Sequence, residues 1–239
     1  MLQADINCDM GEGIGNDEAI MPFISSANIA CGYHAGDEIT MNKTILLAKK
    51  YRVAVGAHPS FFDRENFGRT EMHLATQEIY ELVQKQIKIL NSIAAKHEVV
   101  MQHVKPHGAL YNMSAKDVVT AHAIAAAVKD YDPNLVLFGL SGSHSIKEAQ
   151  GLGLKTNSEV FADRTYQDDG SLTPRSQRNA LINDTKKVVE QVLQMINKKT
   201  VTTVSGNIIT VVPGTICIHG DGAHAAEFAK AINEALWIK

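Results

Sequence analysis

Short apolar runs alternate with longer amphipathic ones along this chain. The apolar runs predict strands near Ala4–Cys8, Asn28–Cys31, Val53–Ala57, Val99–Val104, Leu135–Leu140, Lys155–Val160 and Thr215–His219. The amphipathic runs predict helices near Glu38–Tyr51, Thr76–His97, Ala115–Tyr131, Ser143–Gln150, Asn183–Lys198 and Ala223–Trp237. The helix from Thr76 has the clearest stripe: Ile79, Leu82, Val83, Gln86, Ile87, Leu90, Ile93 and Ala94 recur at helical spacing. Ser114-x-x-Asp117 has the form of a capping box for the helix that follows. A short acidic segment, Asn16–Ile24, follows the first strand, and Thr200–Val212 breaks the rhythm as a hairpin turning at Gly206-Asn207.

Regular β-α alternation calls for a parallel sheet with crossover helices. No linker or shift in composition divides the chain, which predicts one domain over residues 1–239 with a peripheral β-hairpin near 200–212. About seven β-α units fit a TIM-like (β/α) barrel. A doubly wound open sheet is the competing architecture.

Alternation within each predicted strand assigns side chains to two faces. Asp5, Asn7 and Asp9 share one face of the first strand; Asn28, Ala30, Gly32 and His34 share one face of the second. Ala54, Gly56 and His58 follow on the third, and His103, Lys105 and, past Pro106, His107 on the fourth. On the fifth, Gly139 and Ser141 oppose Phe138 and Leu140; on the sixth, Asn157 and Glu159 share a face, with Asp163 and Arg164 just beyond; on the seventh, His219 and Asp221 oppose Ile218. One face is thus apolar, suited to packing under helices. The other is small or polar and gains titratable groups toward the C-terminal strand ends. Burying such groups is costly unless they pair or bind a ligand, so their recurrence on every strand points to a polar pocket inside the barrel.

Composition narrows the function. With 23 Lys+Arg against 26 Asp+Glu and no basic run, nucleic acid and anionic membranes are not expected partners. No stretch reaches the roughly 20 apolar residues of a membrane span, and MLQADINCDM lacks the charged and apolar regions of a secretory signal. Cys8, Cys31 and Cys217 are odd in number and not in CxxC spacing; the expectation is a reduced, cytoplasmic protein with these thiols packed on or near the apolar face. No G-x-x-x-x-G-K-[ST] occurs, so no P-loop is present, and DMGEGIG is a weak match to a dinucleotide fingerprint. His219-Gly220-Asp221-Gly222 before the last helix and Gly139-Leu140-Ser141-Gly142-Ser143 are each either anion-binding turns or plain N-cap turns; both readings stay open. Asp9, His34, His58 and His107 are types suited to zinc or manganese, but no H-E-x-x-H or paired-cysteine signature fixes a metal, which stays unknown.

The blocks DINCDMGEG, NIACGYHAGD, VGAHPSFFDR with FGR, VKPHGALYN, EVFADRTY with DGSLTPRSQ, and CIHGDGAHA, in this order, resemble the LamB/YcsF family over essentially the whole chain. That family comprises the A subunits of the prokaryotic ATP-dependent 5-oxoprolinase. The resemblance implies a barrel related to the glycoside hydrolase/deacetylase group and partnership with B and C subunits. It also implies cleavage of 5-oxoproline to L-glutamate with hydrolysis of ATP, a co-substrate expected to arrive with magnesium. On the matching blocks, Asp9, Glu12, Glu159 and Asp221 offer carboxylates; His34, His58, His107 and His219 offer proton relays; Lys105 and Arg164 offer cations for anionic groups. The expected catalytic set is Asp9, Glu12, His34, His58, Lys105, His107, Glu159 and Asp221. Asn7, Arg164, Gly139, Ser141, His219, Gly220 and Gly222 are expected to bind substrate or phosphate. Two other classes stay open: a stand-alone metal-dependent deacetylase or amide hydrolase, and a non-catalytic ligand-binding subunit.

Overall fold

The computed structural model describes residues 4–236. Seven parallel strands close into a barrel: β1 (Asp5–Met10), β2 (Ser26–Ala30), β3 (Ala54–His58), β4 (Met101–Val104), β5 (Val136–Leu140), β6 (Lys155–Phe161) and β9 (Thr215–Ile218), with β9 pairing both β6 and β1. The open-sheet alternative is thereby excluded. Helices α1 (Asp17–Ile20), α2 (Glu38–Tyr51), α3 (Thr76–Lys96), α4 (Gly108–Lys116), α5 (Val118–Tyr131), α6 (His144–Gly151), α7 (Thr185–Lys198) and α8 (Ala225–Leu236) surround it. The short acidic segment after β1 is α1 plus one 3-10 turn, Met21–Phe23. Strands β7 (Thr200–Thr202) and β8 (Ile208–Thr210) form the antiparallel hairpin outside the barrel, turning through Gly206 at φ +88°. The end of the last predicted helix, Trp237, lies outside the described residues.

The main core is the apolar shell between strands and helices, where Ile6, Ile29, Val55, Val104 and Ile216 meet the stripe of α3 and its neighbours. Fully burying one such side chain contributes about 1.5–3 kcal/mol. Gln86 is the polar exception in the α3 stripe. Its amide accepts from the Ser60 N–H at 2.9 Å and donates to the Ser60 carbonyl at 2.8 Å, tying the loop after β3 to the helix.

Two helix expectations need correction. The predicted helix Ala115–Tyr131 is two helices, because α4 starts at Gly108, immediately after His107. Asp117 rather than Ser114 caps α5: its carboxylate accepts from the Thr120 N–H at 2.7 Å, while the Ser114 hydroxyl turns to the Tyr111 carbonyl and to Ser145. A carboxylate at the cap position meets the free N–H groups of the first turn directly.

Strand five also reverses the expected faces. Phe138 stacks on His103 inside the barrel, ring centroids 4.3 Å apart, so Phe138 and Leu140 point inward. Gly139 points outward, where a Cβ would lie 2.9 Å from the Cβ of Ser145 on α6. The glycine allows close helix-strand approach; it does not open the interior.

Candidate active site

The barrel interior is polar from its floor upward. Asn28 Nδ2 donates to Asn7 Oδ1 at 2.7 Å and to Asp9 Oδ1 at 2.9 Å, while Asn28 Oδ1 accepts from His103 Nε2 at 2.8 Å. Gly56, beside His103 in the register, makes room for this ring: a Cβ there would overlap the imidazole. Burial, with help from Lys105, pulls His103 down to about 3 and keeps it neutral.

Above this layer sits Lys105, 2 % exposed. Its ammonium lies 2.8 Å from Glu159 Oε1 and 2.9 Å from Asp9 Oδ1, and donates to Asn7 Oδ1 and to Cys217 Sγ, both at 3.1 Å. Burial alone would lower the Lys105 pKa. The charges of Asp9 and Glu159 outweigh burial and hold it well above the ordinary lysine value. Asp9 balances the same way: burial raises it, but His58 and Lys105 bring it well below the usual carboxylate range. Cys217 therefore lies on the polar face, against expectation, because alternation on β9 points Thr215, Cys217 and His219 to one side. Burial pushes its thiol up, so it packs against the ammonium as a neutral group.

Two further groups complete the pocket. His219 Nδ1 donates to Asp163 Oδ1 at 2.9 Å, and the His219 backbone N–H donates to Asp163 Oδ2 at 3.1 Å. Burial raises Asp163, yet His219 holds it below its ordinary value, as an ionised partner. On the other side, His58, His107, His34 and Glu12 cluster: His58 Nε2 is 3.4 Å from Asp9 Oδ1, and Glu12 Oε1 is 3.3 Å from His34 Nε2. Burial and the neighbouring charges of Asp9 and Asp221 raise Glu12 well above its ordinary value. Burial, with the neighbouring imidazoles, lowers His34 and His107.

A cavity of about 270 Å³ opens over these groups at the C-terminal ends of the strands. Asp9, His58, Lys105, His107, Tyr111, Phe161 and His219 line it, with Arg69 and Arg175 at its rim. Tyr111 contributes a buried hydroxyl with no hydrogen-bond partner among the described residues. Burial and the charge of Glu159 push that hydroxyl up.

Most of the expected site residues thus converge: Asn7, Asp9, Glu12, His34, His58, Lys105, His107, Glu159 and His219. Others are placed differently. Asp221 stands at the rim, 2.6 Å from Arg69 and 4.0 Å from Arg175. Arg164 is buried in the cavity wall and donates to the carbonyls of Ala180 (3.3 Å) and Thr173 (2.6 Å), so it braces the 161–183 loop while lining the pocket. Burial and Arg175 together lower it to about 10. Gly139 faces α6, and Ser141 lies in a neighbouring cavity, accepting from the Val212 N–H at 2.8 Å. Gly220 serves close packing, since a Cβ there would overlap the Asp9 carbonyl; Gly222 is exposed.

Sequence reasoning missed Asn28, Asp163, Tyr111, Arg69 and Arg175 as site residues. Asn28 and Asp163 carried a usable signal, since both follow the polar alternation of their strands. Arg69 and Arg175 come from irregular loops, where no periodicity points inward.

A polar, titratable pocket at the C-terminal mouth of a parallel barrel is the usual place for an enzyme site on this architecture. The family model for the LamB/YcsF family matches residues 4–238, and the chain belongs to that family. It is 51 % identical over 240 residues to the A subunit of 5-oxoprolinase from Staphylococcus carnosus (strain TM300), covering 98 % of this chain and 95 % of the relative. It is 52 % identical over 241 residues to the A subunit of 5-oxoprolinase from Tolumonas auensis, covering 99 % and 96 %. Among solved structures, the lactam utilization protein from Thermus thermophilus superposes with a TM-score of 0.91 at 40 % identity, covering 98 % of this chain and 96 % of that one.

Proposed function

We propose that this chain is the A subunit of an ATP-dependent 5-oxoprolinase, which opens 5-oxoproline to L-glutamate together with B and C subunits. The observation that carries this reading is the end-to-end relationship, at about half identity, to proteins named as the A subunit of 5-oxoprolinase.

The pocket chemistry supports it. A five-membered lactam is a stable amide, and phosphoryl transfer from ATP to its carbonyl oxygen creates a leaving group. Water then adds to that carbon, the C–N bond breaks as the ring nitrogen takes up a proton, and the resulting acyl phosphate is hydrolysed by a second water to glutamate and phosphate. Lys105, locked between Asp9 and Glu159, supplies a fixed positive charge for the oxygen where negative charge develops. Asp9 is ionised and touches both Lys105 and His58, which suits it to orient and polarise the attacking water. His219, held by Asp163 through Nδ1, keeps its other nitrogen for the pocket and serves as the acid toward the ring nitrogen. Arg69 and Arg175 at the rim suit the substrate carboxylate.

The cavity is slightly below the usual ligand-pocket range of about 300–1,000 Å³. It matches a compact molecule better than that molecule plus a nucleotide. With no P-loop in the chain, ATP and its magnesium are handled partly or wholly by a partner protein. The cytoplasm is the compartment this reading requires, since ATP is available there and the three free thiols stay reduced.

The test is an ADP and glutamate assay with 5-oxoproline and ATP, using the chain alone and then with B and C subunits added. Production that needs all three proteins supports the proposal. Robust ATP-dependent glutamate formation by the single chain, or none by the full set, would overturn it.

A further inference from the structure

Two imidazoles in the site face each other in a way that neutral rings do not tolerate. His58 Nδ1 lies 2.6 Å from the Lys105 carbonyl, and His107 Nε2 lies 2.9 Å from the Phe67 carbonyl. A carbonyl only accepts, so each of these nitrogens carries the hydrogen. If both rings are neutral, the remaining nitrogens, His58 Nε2 and His107 Nδ1, both present lone pairs, and they stand 2.8 Å apart. Something positive must sit between them.

The surroundings are built to hold that tautomer. Phe67, a non-glycine residue, adopts a left-handed backbone (φ +57°) while its carbonyl accepts from His107. Such conformations cost about 1–3 kcal/mol and cluster at functional sites. Gly68 follows at φ +68°, where a Cβ would lie 3.0 Å from the His107 ring. Imidazoles that bind metals characteristically donate their second N–H to a backbone carbonyl in this manner.

We propose that His58 Nε2, His107 Nδ1 and Glu12 Oε1 bind a first-row divalent transition metal, with zinc the best match to two imidazoles and one carboxylate. In a tetrahedral site with bonds of about 2.1 Å, ligand atoms stand about 3.4 Å apart. The separations here bracket that value, 2.8 Å between the two nitrogens and 3.7 Å from His107 Nδ1 to Glu12 Oε1, and each of the three residues offers a donor atom within 4.8 Å of the others'. His58 and His107 are nearly perpendicular, at 82°, so one ion can lie in both ring planes. His34 is stacked on His107 at 5° and cannot share its ion in plane; its Nε2, 3.3 Å from Glu12, orients that carboxylate. Three protein ligands leave a position open, and both histidines line the cavity, so the ion would border the bound small molecule. The nearby trio Asp9, Cys217 and His219 is not a second site, because the Lys105 ammonium already lies against Asp9 and Cys217.

The site goes beyond the 5-oxoprolinase reading, and its test needs no substrate, so the two can fail separately. Untagged protein purified without chelator is analysed for metals. Chelator-treated protein is then titrated with Zn²⁺ by calorimetry and with Co²⁺ by visible absorption. The expected result is about one ion per chain, cobalt bands typical of low coordination number, and a higher melting temperature with metal. His107→Gln and Glu12→Gln should each lose about tenfold or more in Zn²⁺ affinity, while His122→Gln on the surface should not. If a variant fails to fold, the wild-type titrations decide. No ion bound by wild type would overturn the proposal in favour of a proton shared between the rings. Undiminished binding by both folded variants would also overturn it.

Discussion

Lys105 Nζ lies 2.8 Å from Glu159 Oε1 inside a closed barrel, with both side chains almost wholly shielded from water. Asp9, at 2.9 Å, makes this a three-charge centre in which one ammonium faces two carboxylates. Removing one member of a buried pair leaves its partner uncompensated, at a cost of about 3–5 kcal/mol.

Lys105→Met should therefore unfold at markedly lower urea than wild type, by roughly that amount. Lys105→Met/Glu159→Gln should recover part of the loss, because one stranded carboxylate is gone. Neither variant should recover turnover. Equilibrium unfolding of both, alongside glutamate formation by the reconstituted complex, checks this. A double variant as active as wild type would contradict the role given to the ammonium.

Asp163 holds His219 by two bonds, to Nδ1 and to the backbone N–H. In Asp163→Asn, rotation of the amide can offer a donor to Nδ1 and favour the other tautomer. We expect kcat of the complex to fall by about a hundredfold with little change in KM. The pH profile should change limb by limb between wild type and variant. A profile that keeps its shape would show that Asp163 does not set the state of His219.

His103 gives a pH dependence of stability. Its pKa is about 3 in the folded chain, against an ordinary value of 6.5. Between these values the unfolded chain binds the extra proton, so stability is fully present above about pH 6.5 and declines as pH falls toward 3. The slope from this one group is about 1.4 kcal/mol per pH unit. Urea unfolding from pH 7.5 to 4.5 should show the decline, and His103→Gln should flatten it by about one proton. An unchanged slope in that variant would contradict the burial argument.

Gly56→Ala tests the space left for the same ring. The new Cβ would overlap the His103 imidazole, so a loss of about 1–3 kcal/mol is expected from overpacking, with helix content retained. A variant with wild-type stability would show that the barrel floor can relax around the methyl group.

Strand alternation made much of the interior legible. Asp9, His58, Lys105, Glu159 and His219 each lie on the face that a period of two assigns them. Strand five failed because Gly139 looks like an interior vacancy in a list of residues, whereas in three dimensions Phe138 fills the interior and the glycine admits α6. Arg164 lines the cavity, as its place beyond strand six suggested, but the loop carbonyls that hold two of its N–H groups carry no periodic signal. The loop carrying Phe67, Gly68 and Arg69 has no periodicity, so the carbonyl that sets the His107 tautomer could only be found in space.

Whether the Asp9–Lys105 centre opens the lactam is the central question, and Asp9→Asn addresses it most directly. Complexes of this chain with B and C subunits, wild type and Asp9→Asn, should first be shown by gel filtration to assemble alike. Glutamate and ADP are then measured in the same samples. Wild type should give stoichiometric glutamate and ADP, and Asp9→Asn should form glutamate about a hundredfold or more slowly. An assembled Asp9→Asn complex that makes glutamate at the wild-type rate would contradict the role given to this centre.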